Sequence, residues 1–364
     1  MRIASTRSPL AWPVLVLLLV GFATIASAAP FVPVRDPQVV AFAPSGKLAA
    51  TGCSGQSDGG FPPRPHPDVR KCGVVAIWDV ASGKRLRRME TFGDLTQLAF
   101  SPDGTLLAAT RLYATADGLT LHEVRLWDVS TGRPVKTLDR CHHFDFSPDG
   151  KRLAVLSRTR CVVYDVGEWT KEHQIKPLGG ALGIAFLPAT DRLVGIVREG
   201  DRFALRSCDI ATGDNVRTSV GLQQPYYHIA AAGDGSRLAT GHGDGAVILW
   251  NAASLEPEGQ LNMGVAGLAH PFFSADAKLI ASGSQASGDV VIWDLATKQE
   301  YRRYTFDKGS FKTLLVRSPS DTVRPEKDPV RFAFAPDGQS FLVGAYGGIV
   351  RLVEDGRDIQ RFGE

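Results

Sequence analysis

Apolar and polar residues alternate along most of this chain in short runs, broken at regular intervals by turn residues. The clearest stretch is Leu98-Ala99-Phe100-Ser101-Pro102-Asp103-Gly104, followed by Leu106-Leu107-Ala108-Ala109 and then Val124-Arg125-Leu126-Trp127-Asp128. A period of two with β-branched and aromatic residues predicts strands. Pro102 presets the turn, and Gly104 supplies a left-handed residue, so an antiparallel hairpin is expected there. The pattern recurs. Phe42 to Gly46 leads to Trp78-Asp79, Phe146 to Gly150 to Tyr164-Asp165, and Phe186-Leu187-Pro188 to Cys208-Asp209. Ala232 to Gly235 leads to Trp250-Asn251, Phe273 to Asp276 to Trp293-Asp294, and Phe334 to Gly338 to Val353-Glu354. The third strand of each unit is apolar on both sides, as in Val74-Val75-Ala76-Ile77, so each unit is expected to be packed on both faces.

The closing pairs end at 79, 128, 165, 209, 251, 294 and 354, at spacings of 37 to 60 residues. Seven units in phase, with Trp-Asp or a relative closing each, resemble the WD40 repeat. The resemblance implies an all-β, seven-bladed β-propeller of four-stranded antiparallel blades around a central channel. It covers residues 39 to 364. One family feature is missing: no Gly-His pair precedes the first strand of any unit. Gly241-His242 lies instead in a second strand, and Asp244, six residues before Trp250, matches the family's tight-turn aspartate. The ring closes either through Arg357 to Phe362 as the last unit's own fourth strand or through the N-terminal stretch Phe31 to Val34.

Before the repeats, Arg2 and Arg7 precede an apolar run from Val14 to Val20, and Ala26-Ser27-Ala28 follows as a small-x-small cleavage site. Residues 1–28 therefore read as a signal peptide, and 29–364 as the mature propeller, periplasmic or extracellular. The net charge of +3 falls to about +1 once the two arginines go, which gives no general basis for nucleic-acid binding. With 44% hydrophobic and 22% charged residues, the rest is an ordinary globular composition, with no later membrane span.

Export makes the five cysteines candidates for disulfides. Cys53 ends one strand and Cys72 begins its neighbour, which predicts a Cys53–Cys72 bond. Cys141 and Cys161 form a second candidate pair, with a strand between them. Cys208 stands in the place of a blade tryptophan and is expected to be buried and unpaired.

Candidate chemistry is sparse. Cys141-His142-His143 is the one metal-like cluster, but neighbours on a strand point to opposite faces, and no metal or cofactor is expected. Gly55 to Gly59 fits a G-x-S-x-G pattern in a glycine-rich loop, not at the strand-to-helix turn a nucleophile elbow needs. Three insertions stand out: 53–72, about 110–122, and about 305–328. They are expected to emerge on one face, in the sector of blades seven, one and two. Phe61, Arg64, His66, Tyr113, Phe311, Leu314, Arg317 and Arg324 are their candidate partner contacts. The sequence thus points to a monomeric, non-enzymatic scaffold for a protein partner. The alternative is an enzyme or small-ligand or metal-binding protein using the channel, where Asp94, His143, His228 and His270 begin inner strands.

Overall fold

In a computed structural model of the chain, the described strands pair into seven antiparallel sheets of four, each in simple sequential order from its inner strand outward. The structure describes residues 37–53, 72–114, 119–222, 226–264, 269–284, 289–305, 331–336, 340–344, 350–354 and 357–362. The inner strands are Pro37–Phe42, Asp94–Phe100, Cys141–Phe146, Ile184–Leu187, Tyr226–Ala231, Ala269–Phe273 and Arg331–Phe334. The molecule is an all-β propeller of four-stranded antiparallel blades. In the first blade Pro37–Phe42 pairs with Leu48–Cys53, which pairs with Cys72–Asp79, which pairs with Arg85–Phe92. The last blade is completed by the chain's own C-terminal strand, Arg357–Phe362, paired with Val350–Glu354.

The double-sided apolar pattern has a direct structural counterpart. Val74, Ala76 and Trp78 of the first blade pack with Ala333 and Leu342 of the last. Val75 and Ile77, the residues between them, pack on Leu98, Leu107 and Trp127 of the second blade. A strand sends alternate side chains to opposite faces, so one buried strand joins two interfaces, and the ring closes where first and last blades meet. Outer strands carry no such duty: Pro134–Asp139 buries only Leu138.

The Ser-Pro-Asp-Gly turns are small hydrogen-bonded cassettes. Asp103 Oδ1 accepts from Ser101 Oγ at 2.5 Å and from Thr105 N at 3.0 Å, and Ser101 Oγ accepts from Leu106 N at 2.9 Å. Gly104 sits at φ +73°, a backbone that β-carbon-bearing residues adopt only with strain. The same arrangement recurs at Ser147/Asp149 and Ser274/Asp276. The Asp of each Trp-Asp pair is likewise a turn residue. Asp128 Oδ1 accepts from the Thr131 amide and hydroxyl, both at 2.7 Å, and these bonds hold its carboxyl below the usual range.

The missing Gly-His pair proves to be partly replaced. Trp250 Nε1 donates to Thr240 Oγ1 at 2.9 Å, and that hydroxyl lies 3.1 Å from His242 Nε2. The second-strand histidine thus joins a buried Trp–Thr–His chain. Blade one keeps the first link, Trp78 Nε1 to Thr51 Oγ1 at 3.0 Å. Thr240→Val removes the hydroxyl from both partners at nearly constant volume. It is expected to lower stability by about 1 to 3 kcal/mol, the cost of stranding buried polar groups, measurable by urea denaturation. An unchanged midpoint would show that the chain contributes nothing.

Candidate interaction face and central channel

The strand ends that root the three insertions are well placed for a shared surface. Segment 54–71 leaves from Cys53 and returns at Cys72, and segment 306–330 joins Thr305 to Arg331. Second-to-third and outer-to-inner connections leave a sequential antiparallel blade at the same end. The last blade packs on the first, and the first on the second. Phe61, Arg64, His66, Phe311, Leu314, Arg317 and Arg324 lie outside the described residues, as do Gly55 to Gly59.

The third insertion is different from its sequence reading. Residues 110–122 are largely strand: Leu106–Ala114 and Thr120–Asp128 pair continuously, from Leu106↔Asp128 to Ala114↔Thr120. Polar residues interrupt the apolar pattern there because an ion pair is buried in it. Arg111 and Glu123 face each other across the ladder with N and O 2.5 Å apart and side chains 5% and 4% exposed. Tyr113, expected as a loop contact, packs its ring 5.0 Å from the Arg111 guanidinium. Burial, with Glu123 nearby, raises its hydroxyl pKa. Charged residues inside a hairpin read as loop from sequence, and only the pairing reveals them as core.

The cysteines also resolve. Cys141, Cys161 and Cys208 are buried free thiols, so the candidate Cys141–Cys161 bond is not formed. Cys141 pairs with Ser157 and Cys161 with Leu156, on opposite sides of the strand Arg152–Ser157. Two strand spacings are about 9–10 Å, beyond disulfide reach. The side chains also enter different interfaces, Cys141 toward blade two and Cys161 toward blade four. Burial pushes the Cys141 and Cys208 thiols up to about 11, and Cys161 is raised as well. These three are expected to resist a neutral-pH thiol reagent in the folded protein and to react fully in guanidinium; native reactivity would contradict their burial. The side chains of Cys53 and Cys72 lie outside the described set, with Cys53 opposite Val74 in the ladder.

At the centre lies a cavity of about 520 Å³, bordered by inner strands of six blades. His143, His228 and His270 all line it; Asp94 does not. Each stands three residues before the end of its inner strand, and their ladder partners Leu156, Gly241 and Gly283 are equivalent. One register level therefore repeats around the ring, which the sequence alone showed only as scattered histidines. The rings of His228 and His270 are 3.8 Å apart between centroids. His143 Nδ1 is buried with no hydrogen-bond partner, and burial pushes this imidazole down to about 3.

Two further channel groups serve the frame. Gln97 binds both sides of the Phe144 peptide, donating to its oxygen at 2.7 Å and accepting from its nitrogen at 3.2 Å. Asp145 Oδ2 accepts from Phe186 N at 2.8 Å. Side chains of one blade thereby satisfy the exposed backbone edge of the next, which would otherwise be unpaired. Burial raises Asp145 to about 7 despite its backbone hydrogen bonds. His142, next to His143, sets Nε2 3.3 Å from Ala181 O instead of turning toward Cys141. Among the described residues no three His, Cys, Asp or Glu side chains converge on a metal position, and no helix is long and apolar enough to cross a membrane.

The blades define a class: an all-β propeller of four-stranded antiparallel blades. The chain is similar to MST50-interacting protein 11 of Pyricularia oryzae, 27% identical over 131 residues, 34% of this chain and 39% of that protein. It is also similar to the small ribosomal subunit protein RACK1 of Neurospora crassa, 26% identical over 125 residues, 32% and 37% of the two chains. The chain therefore spans less than two-fifths of the length of each relative. No family model matches it.

Proposed function

We propose that this chain is an exported, seven-bladed WD40-type propeller that serves as a protein-interaction scaffold without catalytic activity of its own. The observation that carries the reading is that the strand ends rooting segments 54–71 and 306–330 belong to neighbouring blades, next to a blade with an extended hairpin. A rigid ring that presents segments from one sector suits recognition, and fold by itself would not. The name of the Pyricularia oryzae relative records an interaction with a protein, which agrees. Segments 54–71 and 306–330 then supply the partner contacts, with Phe61, Arg64, His66, Phe311, Leu314, Arg317 and Arg324 as the side chains that make them.

Export follows from the N-terminal pattern, with cleavage after Ala28 and a Cys53–Cys72 bond in the mature chain. Secreted protein is expected to begin at Ala29 and to yield three alkylatable thiols in guanidinium without reductant, five with it. Five without reductant would remove the disulfide. Affinity capture from the native envelope, with the intact chain and with a variant shortened in both segments, tests the scaffold. The shortened protein is expected to keep its cooperative melt and lose its partner. Retention of every captured protein would overturn the reading.

A further inference from the structure

At the end of the ring where second strands turn into third strands, blades two and three gather cationic and protonatable groups without a counter-charge. His122 of Thr120–Asp128 and His142 of Cys141–Phe146 meet across the interface, edge to face, with ring centroids 6.0 Å apart. Beside them is the two-residue turn Arg158-Thr159, closed by Ser157 N donating to Arg160 O at 2.8 Å. The turn lies tightly on Gly179 and Gly180: a β-carbon there would fall 2.7 Å from Thr159 O and 3.2 Å from Arg158 O. Ala181, the next residue, holds His142 Nε2 through its carbonyl at 3.3 Å. One short segment, 179–181, therefore positions both the Arg158 turn and His142. Arg140, at the turn between the two blades, adds a second guanidinium. Both arginines are exposed, and among the described residues no ion pair or side-chain hydrogen bond holds either.

The carboxyls nearby are committed elsewhere. Val124 and Leu126 pack toward blade three and Trp127 toward blade one, so His122 shares the first face and Glu123 the second. Glu123 is paired with Arg111. Asp139 acts on Tyr113 and Cys141, and Asp94 has an interaction of its own. His143 takes the other face of its strand, and Arg160 and Lys176, both exposed, add only positive charge. Neither nitrogen of His122 is hydrogen-bonded, and Nδ1 is buried; the cheaper tautomer keeps the proton on Nε2, as a donor. His142 Nε2 must be protonated to donate to a carbonyl, so its Nδ1 is the nitrogen that titrates. Burial lowers both imidazoles; His142 and Arg158 lower His122 further, and Arg158 lowers His142. An anion seated among them opposes that repulsion, favours the imidazolium forms and gives His142 a second donor. A cation would meet a guanidinium that repels it.

We propose that this rim binds a small divalent oxyanion of the phosphate type, with Arg158, His122 and His142 as its donors. A guanidinium and two imidazolium charges suit a dianion better than a carboxylate. The site stands on blades two and three, apart from segments 54–71 and 306–330, and so is independent of the scaffold reading. Binding takes up protons, so affinity rises as pH falls. Sulfate is the first probe because it stays divalent throughout the range, titrated calorimetrically into the full mature chain. It is expected to bind about threefold or more tightly at pH 6 than at pH 8, and at pH 6 at least about tenfold more tightly than acetate. In proton NMR, sulfate should move the His122 and His142 ring signals toward their imidazolium positions and leave the other histidines in place. Arg158→Gln, an exposed change in a turn, should weaken sulfate about tenfold with an unchanged melt. Inorganic phosphate and methyl phosphate then separate two sources of the anion. Binding of both within about twofold assigns a phosphoryl group on a larger molecule, and binding of inorganic phosphate alone assigns the free ion. No binding at pH 6, acetate equal to sulfate, affinity independent of pH, or no effect of Arg158→Gln would each overturn the proposal.

Discussion

Replacing Arg111 with methionine is expected to lower the stability of this propeller by about 3 to 5 kcal/mol, the usual cost of leaving a buried charge without its partner. Glu123 would then be held at 4% exposure with no counter-charge, in a hairpin whose backbone is already paired on both sides. Glu123→Leu should be of similar cost. The double variant should not add the two losses. It removes both charges, and apolar replacement of a buried pair is commonly neutral or stabilising. The coupling in a double-mutant cycle, read by urea denaturation, is therefore expected to be several kcal/mol. Additive losses would mean that the pair is solvated in solution and does not act as a unit. The outcome also bears on the proposed interaction sector, because the pair stiffens the extended hairpin that stands in it.

The second large effect is at Asp145, and its sign depends on pH. Its folded pKa is raised to about 7 from 3.8. Between these values the folded chain keeps a proton that the unfolded chain releases, so stability falls as pH rises from about 4 to 7 and levels off above. Asp145→Asn keeps an oxygen for the Phe186 amide and removes the charge. It is expected to be nearly neutral at pH 4 and stabilising by about 2 to 4 kcal/mol at pH 8. The buried histidines act in the opposite direction. His143 is pushed to about 3 and His242 to about 4, with desolvation the main cause. They stay neutral in the fold while the unfolded chain takes up protons below about 6.5, so they lower stability as pH drops through that window. The wild type should thus be most stable near pH 6 to 7, and the Asn variant should lose the decline on the alkaline side. No gain at pH 8 would show that Asp145 is hydrated or paired in solution. Asp145→Ala, by contrast, should cost stability at both pH values by stranding the Phe186 amide.

Much of the architecture is legible in the sequence because its causes are local. The Ser-Pro-Asp-Gly turns need only neighbours within five residues, and the third strands show their two-sided burial as unbroken apolar runs. The C-terminal strand Arg357–Phe362 could be anticipated from a turn beside it, although its choice over the N-terminal stretch is fixed by pairing. The site was less legible. Its members are far apart in the chain and meet only through the ring: Gln97 with Phe144, Asp145 with Phe186, His228 with His270.

The sequence by itself determined the repeat, the turns and the free, buried Cys208, because each follows from spacing and side-chain chemistry within one unit. Tertiary structure alone decided three things. It put Cys141 and Cys161 into different interfaces, since which face of a sheet a residue takes depends on bulges and register. It turned the polar stretch after Thr110 into a hairpin with a buried ion pair, since opposite charges reveal a shared interior only once the strands align. It brought three histidines from three blades to one level of a channel, since that level is a property of the closed ring, which no single repeat contains.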